Sequence, residues 1–226
     1  MKINSKIVDL THSLEENIPT WDKTKGFNIS ISCNYANCIE PNTFQINKLE
    51  MNAGIGTHID APSHIIPGGK NIDELEIENL ILSCVVIDLS EKINANYIVT
   101  EQDIINFEKE NGLIPEKSFV IFYTGWEKYW NDKEKYINDH QFPSLDISVA
   151  KILLERNIAG IGTDTLSVDT GKDGFPVHIE ILKNNKFLVE NIKNASLLPK
   201  IGAEIFIAPI KIKNATEAPI RLFAKF

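Results

Sequence analysis

Residues 56–64 read GTHIDAPSH, inside a longer stretch, residues 52–69 (NAGIGTHIDAPSHIIPGG), that is dense in glycine and proline. The chain has five histidines, His12, His58, His64, His140 and His178, and two of them fall in these nine residues. If His58 to Asp60 is extended, alternation puts the imidazole and the carboxylate on one face of a strand. That pair offers suitable ligands for zinc or manganese. Gly54 and Gly56 let backbone or substrate approach closely, and Pro62 stiffens the exit. H-x-D by itself has a competing reading, a surface turn in which His58 caps a carbonyl and Asp60 closes an Asx turn.

Outward from this segment, strands and helices alternate without an obvious linker. Upstream, Lys6 to Leu10, Phe27 to Cys33 and Phe44 to Met51 read as strands, the last two alternating apolar and polar residues. Downstream, Asp73 to Leu80 reads as a short helix, and Leu82 to Leu89 is apolar enough for a buried strand. Thr100 is placed to cap a helix from Glu101 to Gly112. Ser118 to Tyr123 reads as a central strand, buried on both faces. Ser148 to Asn157 is a second helix with Asp146 near its start, and Ile158 to Gly162 returns to a strand. Val177 to Lys183 is helical, Lys186 to Glu190 extended, and Ile205 to Lys213 and Ile220 to Phe226 are closing strands. The expected class is α/β, a single domain over residues 1–226.

Composition narrows the function classes. With 226 residues, 43% hydrophobic and 24% charged, the chain can bury a substantial core and is neither disordered nor a polytopic membrane protein. The net charge of −8 repels phosphate backbones, so no nucleic-acid partner is expected. No run approaches the roughly 18 apolar residues of a membrane span, so no membrane partner is expected either. Cys33, Cys38 and Cys84 show no C-x-x-C spacing, and MKINSKIVDLTHSLEE lacks the apolar core of a signal peptide; a reducing cytoplasm is the expected setting.

The length of the match around GTHIDAPSH carries the reading further, because it resembles the signature of the cyclase family of metal-dependent hydrolases, which includes kynurenine formamidases and isatin hydrolases. Five further blocks follow the family order: DLTHSL with IPTW, FYTGWEKYW, IGTDTLSVD, FPVH and the closing PIKIKNATEAPIRLFA. The resemblance implies the swivelling β/β/α fold and a homo-oligomer, commonly a dimer or tetramer. It implies a divalent metal, zinc foremost with manganese as the alternative, held by His58, Asp60, His178 and Glu190. Asp60 and Glu190 match the positions able to bridge two ions. His64 matches the histidine assigned as proton donor and acceptor, and Trp21 an aromatic that lines the substrate pocket. One departure stands out: the family usually has a histidine four residues before the one matched by His58, and here that position is Gly54. One ion position is therefore expected to lack a ligand.

The implied chemistry is hydrolysis of a C–N (amide, N-formyl or lactam) or ester bond in a small aromatic substrate, arylformamidase-like, with water activated by the metal and His64 moving the proton. Two alternatives stay open: a lyase or cyclase using the same site, and a non-catalytic binder of small molecules, the latter motivated by Gly54. Of the remaining residues, His12 is expected to be structural, His140 a loop residue, and Asp164 and Asp169 supports for the site. Phe44 or Trp126 would share an apolar wall with Trp21. Trp126 and Trp130 read equally as core, and Arg221 is open between a substrate carboxylate and a surface ion pair.

Overall fold

In the computed structural model, which describes residues 5–92 and 94–226, most of the strands join one sheet that closes on itself. In chain order they are β1 (Ile7–Asp9), β2 (Phe27–Cys33), β3 (Ile46–Met51), β4 (His58–Asp60), β5 (Ile81–Asp88) and β6 (Ile98–Val99). There follow β7 (Phe119–Tyr123), β8 (Ser144–Leu145), β9 (Gly160–Thr163), β10 (Phe187–Glu190), β11 (Ile201–Pro209) and β12 (Glu217–Lys225). The order β12-β11-β5-β7-β9-β10-β4 becomes a ring because β4 pairs back onto β12. β5, β7, β9 and β10 run parallel to their neighbours in that series, and the other ring pairs are antiparallel. β1 extends β12, while β2–β3 and β6–β8 form two small separate ribbons.

Alternation along each strand sorts the side chains to two faces. Ile59, Leu82, Cys84, Val86, Phe119, Ile121, Phe187, Val189 and Ile205 meet in one buried cluster drawn from around the ring. Their neighbours of opposite parity, among them Val85, Ile87, Val120, Phe122, Ile161 and Leu188, pack outward in a second. That second cluster is covered by α1 (Glu101–Asn111), α3 (Ile147–Glu155) and α4 (Pro176–Lys183); α2 (Lys133–Ile137) lies with the aromatic cluster of Trp126, Trp130 and Tyr136. N-caps start the helices where the sequence places them: Thr100 and Asp103 form a reciprocal box at α1, and the Asp146 carboxylate at the start of α3 accepts the Ser148 N–H at 2.8 Å.

This is the α/β architecture the resemblance implied, with two local corrections. Asp73 to Leu80 is not a helix but two 3-10 turns, Ile72–Glu74 and Ile77–Leu80; Leu75 is extended between them and packs on the ring interior. β11 runs earlier than expected, because a bulge at Gly202 lets Ile201 still pair with Val85, and the chain leaves the strand after Pro209. Among the described residues no helix is long and apolar enough to cross a membrane.

Candidate metal centre

Parity within β4 decides what faces the site. Ile59 points into the ring cluster, so His58 and Asp60 point to the opposite face, where α4 packs. β4 lies between β10 and β12, and the register sets Glu190 opposite His58 and Glu217 opposite Asp60. The entry to β4 is pinned by polar contacts. Gly56 sits at φ +61, a conformation that favours glycine. The Thr57 hydroxyl donates to Asn191 O at 2.7 Å, and the Asn191 amide donates to Gly56 O at 2.9 Å.

Both histidines of the cluster have one ring nitrogen committed. Nδ1 of His58 is 2.9 Å from Gly56 O, which can only accept, so Nδ1 carries the proton. Nδ1 of His178, on α4, lies 2.8 Å from Asp169 Oδ2. Each therefore turns Nε2 towards the two buried carboxylates. Nε2 of His58 lies 3.5 Å from Asp60 Oδ1 and 3.5 Å from Glu190 Oε2. Nε2 of His178 lies 3.7 Å from Asp60 Oδ2 and 3.3 Å from Glu190 Oε1. Asp60 and Glu190 thus each present one oxygen to each histidine.

Asp60 Oδ1 and Glu190 Oε1 are buried without a hydrogen-bond partner, an expensive arrangement for a carboxylate. Burial opposes charge on His58, yet Asp60 and Glu190 outweigh it and hold the imidazole above its ordinary value. His178 is likewise raised, with burial overcome by Asp169, Asp60 and Glu190. Asp60 moves the other way: His58, His178 and His64 hold its carboxyl below the usual range despite burial. The site calls for positive charge. Two triads, Asp60–His178–Glu190 and His58–Asp60–Glu217, each bring ligand atoms within 4.8 Å of one another. Imidazole nitrogen with carboxylate oxygen is a donor set that fits a divalent ion.

A cavity of about 280 Å³ opens over this cluster, walled by Trp21, Leu166 and Phe175 and floored by His58, Asp60, His178 and Glu190. His64, on the 3-10 turn Pro62–His64, stands at its side with Nδ1 3.4 Å from Glu217 Oε2. That carboxylate raises the His64 pKa. Trp21 stacks on His140 with ring centroids 4.0 Å apart, and His140 Nε2 is 2.9 Å from Trp21 O, so His140 props the pocket wall. Neither Phe44 nor Trp126 shares that wall: Phe44 is exposed near the β2–β3 ribbon, and the Trp126 indole donates to Tyr136 O at 2.9 Å within the aromatic cluster. Arg221 pairs with Asp9 on the surface at 2.7 Å, away from the cavity.

Asp169 supports His178, whereas Asp164 serves the neighbouring loop. Asp164 accepts from Thr124 N and Oγ1 at 2.8 and 2.7 Å, and burial pushes its carboxyl up to about 6. His12 is buried and stacked on Trp130 at 3.8 Å. The residue the sequence reading missed is Glu217. It lies within the closing block PIKIKNATEAPIRLFA, but nothing in that block marks it as a site residue until β12 is known to pair with β4.

A sequence model of the Cyclase family ("Putative cyclase") matches residues 8–170, a span that includes Trp21, His58, Asp60 and His64. The isatin hydrolase of Roseibium aggregatum is 31% identical over 196 residues, covering 80% of this chain and 74% of its own. The kynurenine formamidase of Bacillus cereus (strain ATCC 14579) is 26% identical over 226 residues, covering 96% of each. The structure of isatin hydrolase A from Labrenzia aggregata bound to benzyl benzoate superposes with a TM-score of 0.87 at 30% identity, covering 98% of this chain and 93% of that one.

Proposed function

This chain belongs to the cyclase family, and from that premise we propose that it is a metal-dependent hydrolase cleaving a C–N or ester bond of a small aromatic substrate. One observation carries the reading: two buried carboxylates, Asp60 and Glu190, each divide their oxygens between the Nε2 atoms of His58 and His178. Nothing in the apolar cores needs such an arrangement, and its orphaned oxygens are costly without a cation. His58, Asp60, His178 and Glu190 are the ligands in this reading. Zinc is the first choice and manganese the second. When bound, a divalent ion supplies a water of lowered pKa and an electrophile for the scissile carbonyl.

The chain's own residues supply the rest. His64 is half-buried at the cavity wall, where it can take a proton from the attacking water and return it to the leaving nitrogen or oxygen. Trp21, with Leu166 and Phe175, gives a flat apolar wall against which an aromatic ring can stack. The relatives' names point to an aromatic lactam and an aromatic N-formyl amide, so those classes head the list. A cavity of about 280 Å³ suits a small molecule and not a polymer.

Residues 1–226 act in this reading as one catalytic domain in a cytoplasmic setting, which three unpaired thiols suit. The ribbon β2–β3 exposes Ile29, Ile31, Ile46 and Leu49, apolar area that supports a homo-oligomer, dimer or tetramer. Metal analysis of the purified protein, followed by a screen of aryl formamides, lactams and esters, tests the proposal. Product formation with uptake of one water is expected. Product formed by loss of water would mark a lyase or cyclase instead, and a protein without metal would sink both.

A further inference from the structure

The space beside Gly54 is taken by the end of a neighbouring side chain, which a larger residue at 54 would have to displace. Gly54 is not among the residues with positive φ, so no left-handed backbone reserves the position for glycine. A Cβ built there, however, would fall on Glu217 Oε1 and lie 3.1 Å from Glu217 Cδ and 3.4 Å from His58 Nε2. The room that a side chain at 54 would take is filled by a carboxylate reaching across from β12. That carboxylate approaches the cluster from the side of His58 and Asp60.

We propose that Glu217 is a metal ligand, completing with His58 and Asp60 the ion position that Gly54 leaves short of a donor. The proposal rests on the metal reading of the site given above. Three observations converge on it. The atoms of His58, Asp60 and Glu217 come within 4.8 Å of one another, close enough to share an ion. Glu217 stands directly opposite Asp60 in the β12–β4 register, and like charges directly opposite on an antiparallel pair destabilise it unless a cation lies between them. Asp60 Oδ1, the oxygen on the His58 side, is buried and has no hydrogen-bond partner. The site is thus built for two ions, with Asp60 common to both triads.

Glu217 Oε2 also faces His64 Nδ1 at 3.4 Å, so a competing role is to orient His64 alone. Metal binding read without turnover separates the two. Full-length protein stripped with chelator is titrated with Mn2+ alone by calorimetry, as wild type, Glu217→Gln, Glu217→Ala, His64→Ala and Asp60→Asn. Wild type should take up two equivalents. Both Glu217 variants should keep one and bind the other roughly 10- to 100-fold more weakly or worse, because even the outer partners of a metal site are worth that much. His64→Ala should keep both. Unchanged stoichiometry and affinity in both Glu217 variants, beside loss in Asp60→Asn, overturns the ligand role and leaves the metal reading standing. A loss that His64→Ala reproduces overturns it too. A wild type that binds no Mn2+ overturns the metal reading and this inference with it.

Discussion

Asp169 Oδ2 lies 2.8 Å from Nδ1 of His178 and accepts the backbone N–H of the same residue at 3.0 Å. One carboxylate therefore fixes both the imidazole and the first turn of the helix that carries it. Oδ1 of Asp169 accepts the Val177 N–H at 3.3 Å, so the group also serves the N-terminus of α4, where a negative charge is favourable. Asp169→Asn should weaken the ion bound through His178 by roughly 10- to 100-fold and cost the fold only about 1 kcal/mol. Metal titration beside a thermal melt checks this. Full metal affinity in the variant would show that His178 needs no orienting partner.

His64→Ala should leave metal content at the wild-type level and lower turnover roughly 10²- to 10⁴-fold, the share of a general acid–base. His64 sits on a short turn with its side chain 32% exposed, so its removal opens no core cavity. It belongs to neither ligand triad. Elemental analysis after dialysis decides: a variant that loses its ion would make His64 a ligand.

What the sequence made legible follows the range of the interactions involved. Phe27 to Cys33, with its strict alternation, is a strand with the bounds expected of it, and Thr100 caps α1 where its local chemistry says it should. H-x-D on β4 is legible for the same reason, since alternation alone puts His58 and Asp60 on one face. His178 and Glu190 needed the family resemblance, because nothing local ties a helix residue and a strand end to β4. Glu217 lies inside the closing block of the resemblance, yet neither route singles it out. Its approach depends on the pairing of β12 with β4, which closes the ring across about 160 residues of chain and leaves no periodic trace. Phe44 was misplaced for a related reason: an aromatic residue in a polar stretch says nothing about which surface it faces.

Trp21→Ala should raise KM for an aromatic substrate more than it lowers kcat, since a pocket wall contributes binding to ground and transition states alike. Trp21 is 36% exposed and rests on His140, Phe142 and Phe175, a rim position and not a core one. The thermal midpoint should therefore stay close to wild type. His140→Ala should shift KM in the same direction by a smaller factor, because it removes the prop and not the wall. A large fall in the midpoint for Trp21→Ala, with KM unchanged, would return the indole to the core.

Acid stability depends on His12, an imidazole buried beside Trp130. Burial first, and then the charge of Lys193, depress its pKa from 6.5 to about 3. The unfolded chain takes up a proton below pH 6.5, whereas the folded chain resists until about pH 3. Between those values the unfolded state binds more protons, so stability rises with pH across the window. The contribution of neutral His12 is complete above pH 6.5 and lost progressively as the pH falls towards 3, up to about 5 kcal/mol in all. The turn that carries His12 is tied to the metal site. The His12 N–H donates to Thr57 Oγ1 at 3.0 Å, and that hydroxyl donates to Asn191 O, so the His12 turn latches residues adjoining His58 and Glu190. His12→Phe keeps the stacking on Trp130 and the backbone donor but removes the titration. The midpoint difference between variant and wild type should move in the variant's favour as the pH drops from 6.5 to 4. A difference that stays constant over that range would show that His12 takes no part in the acid transition.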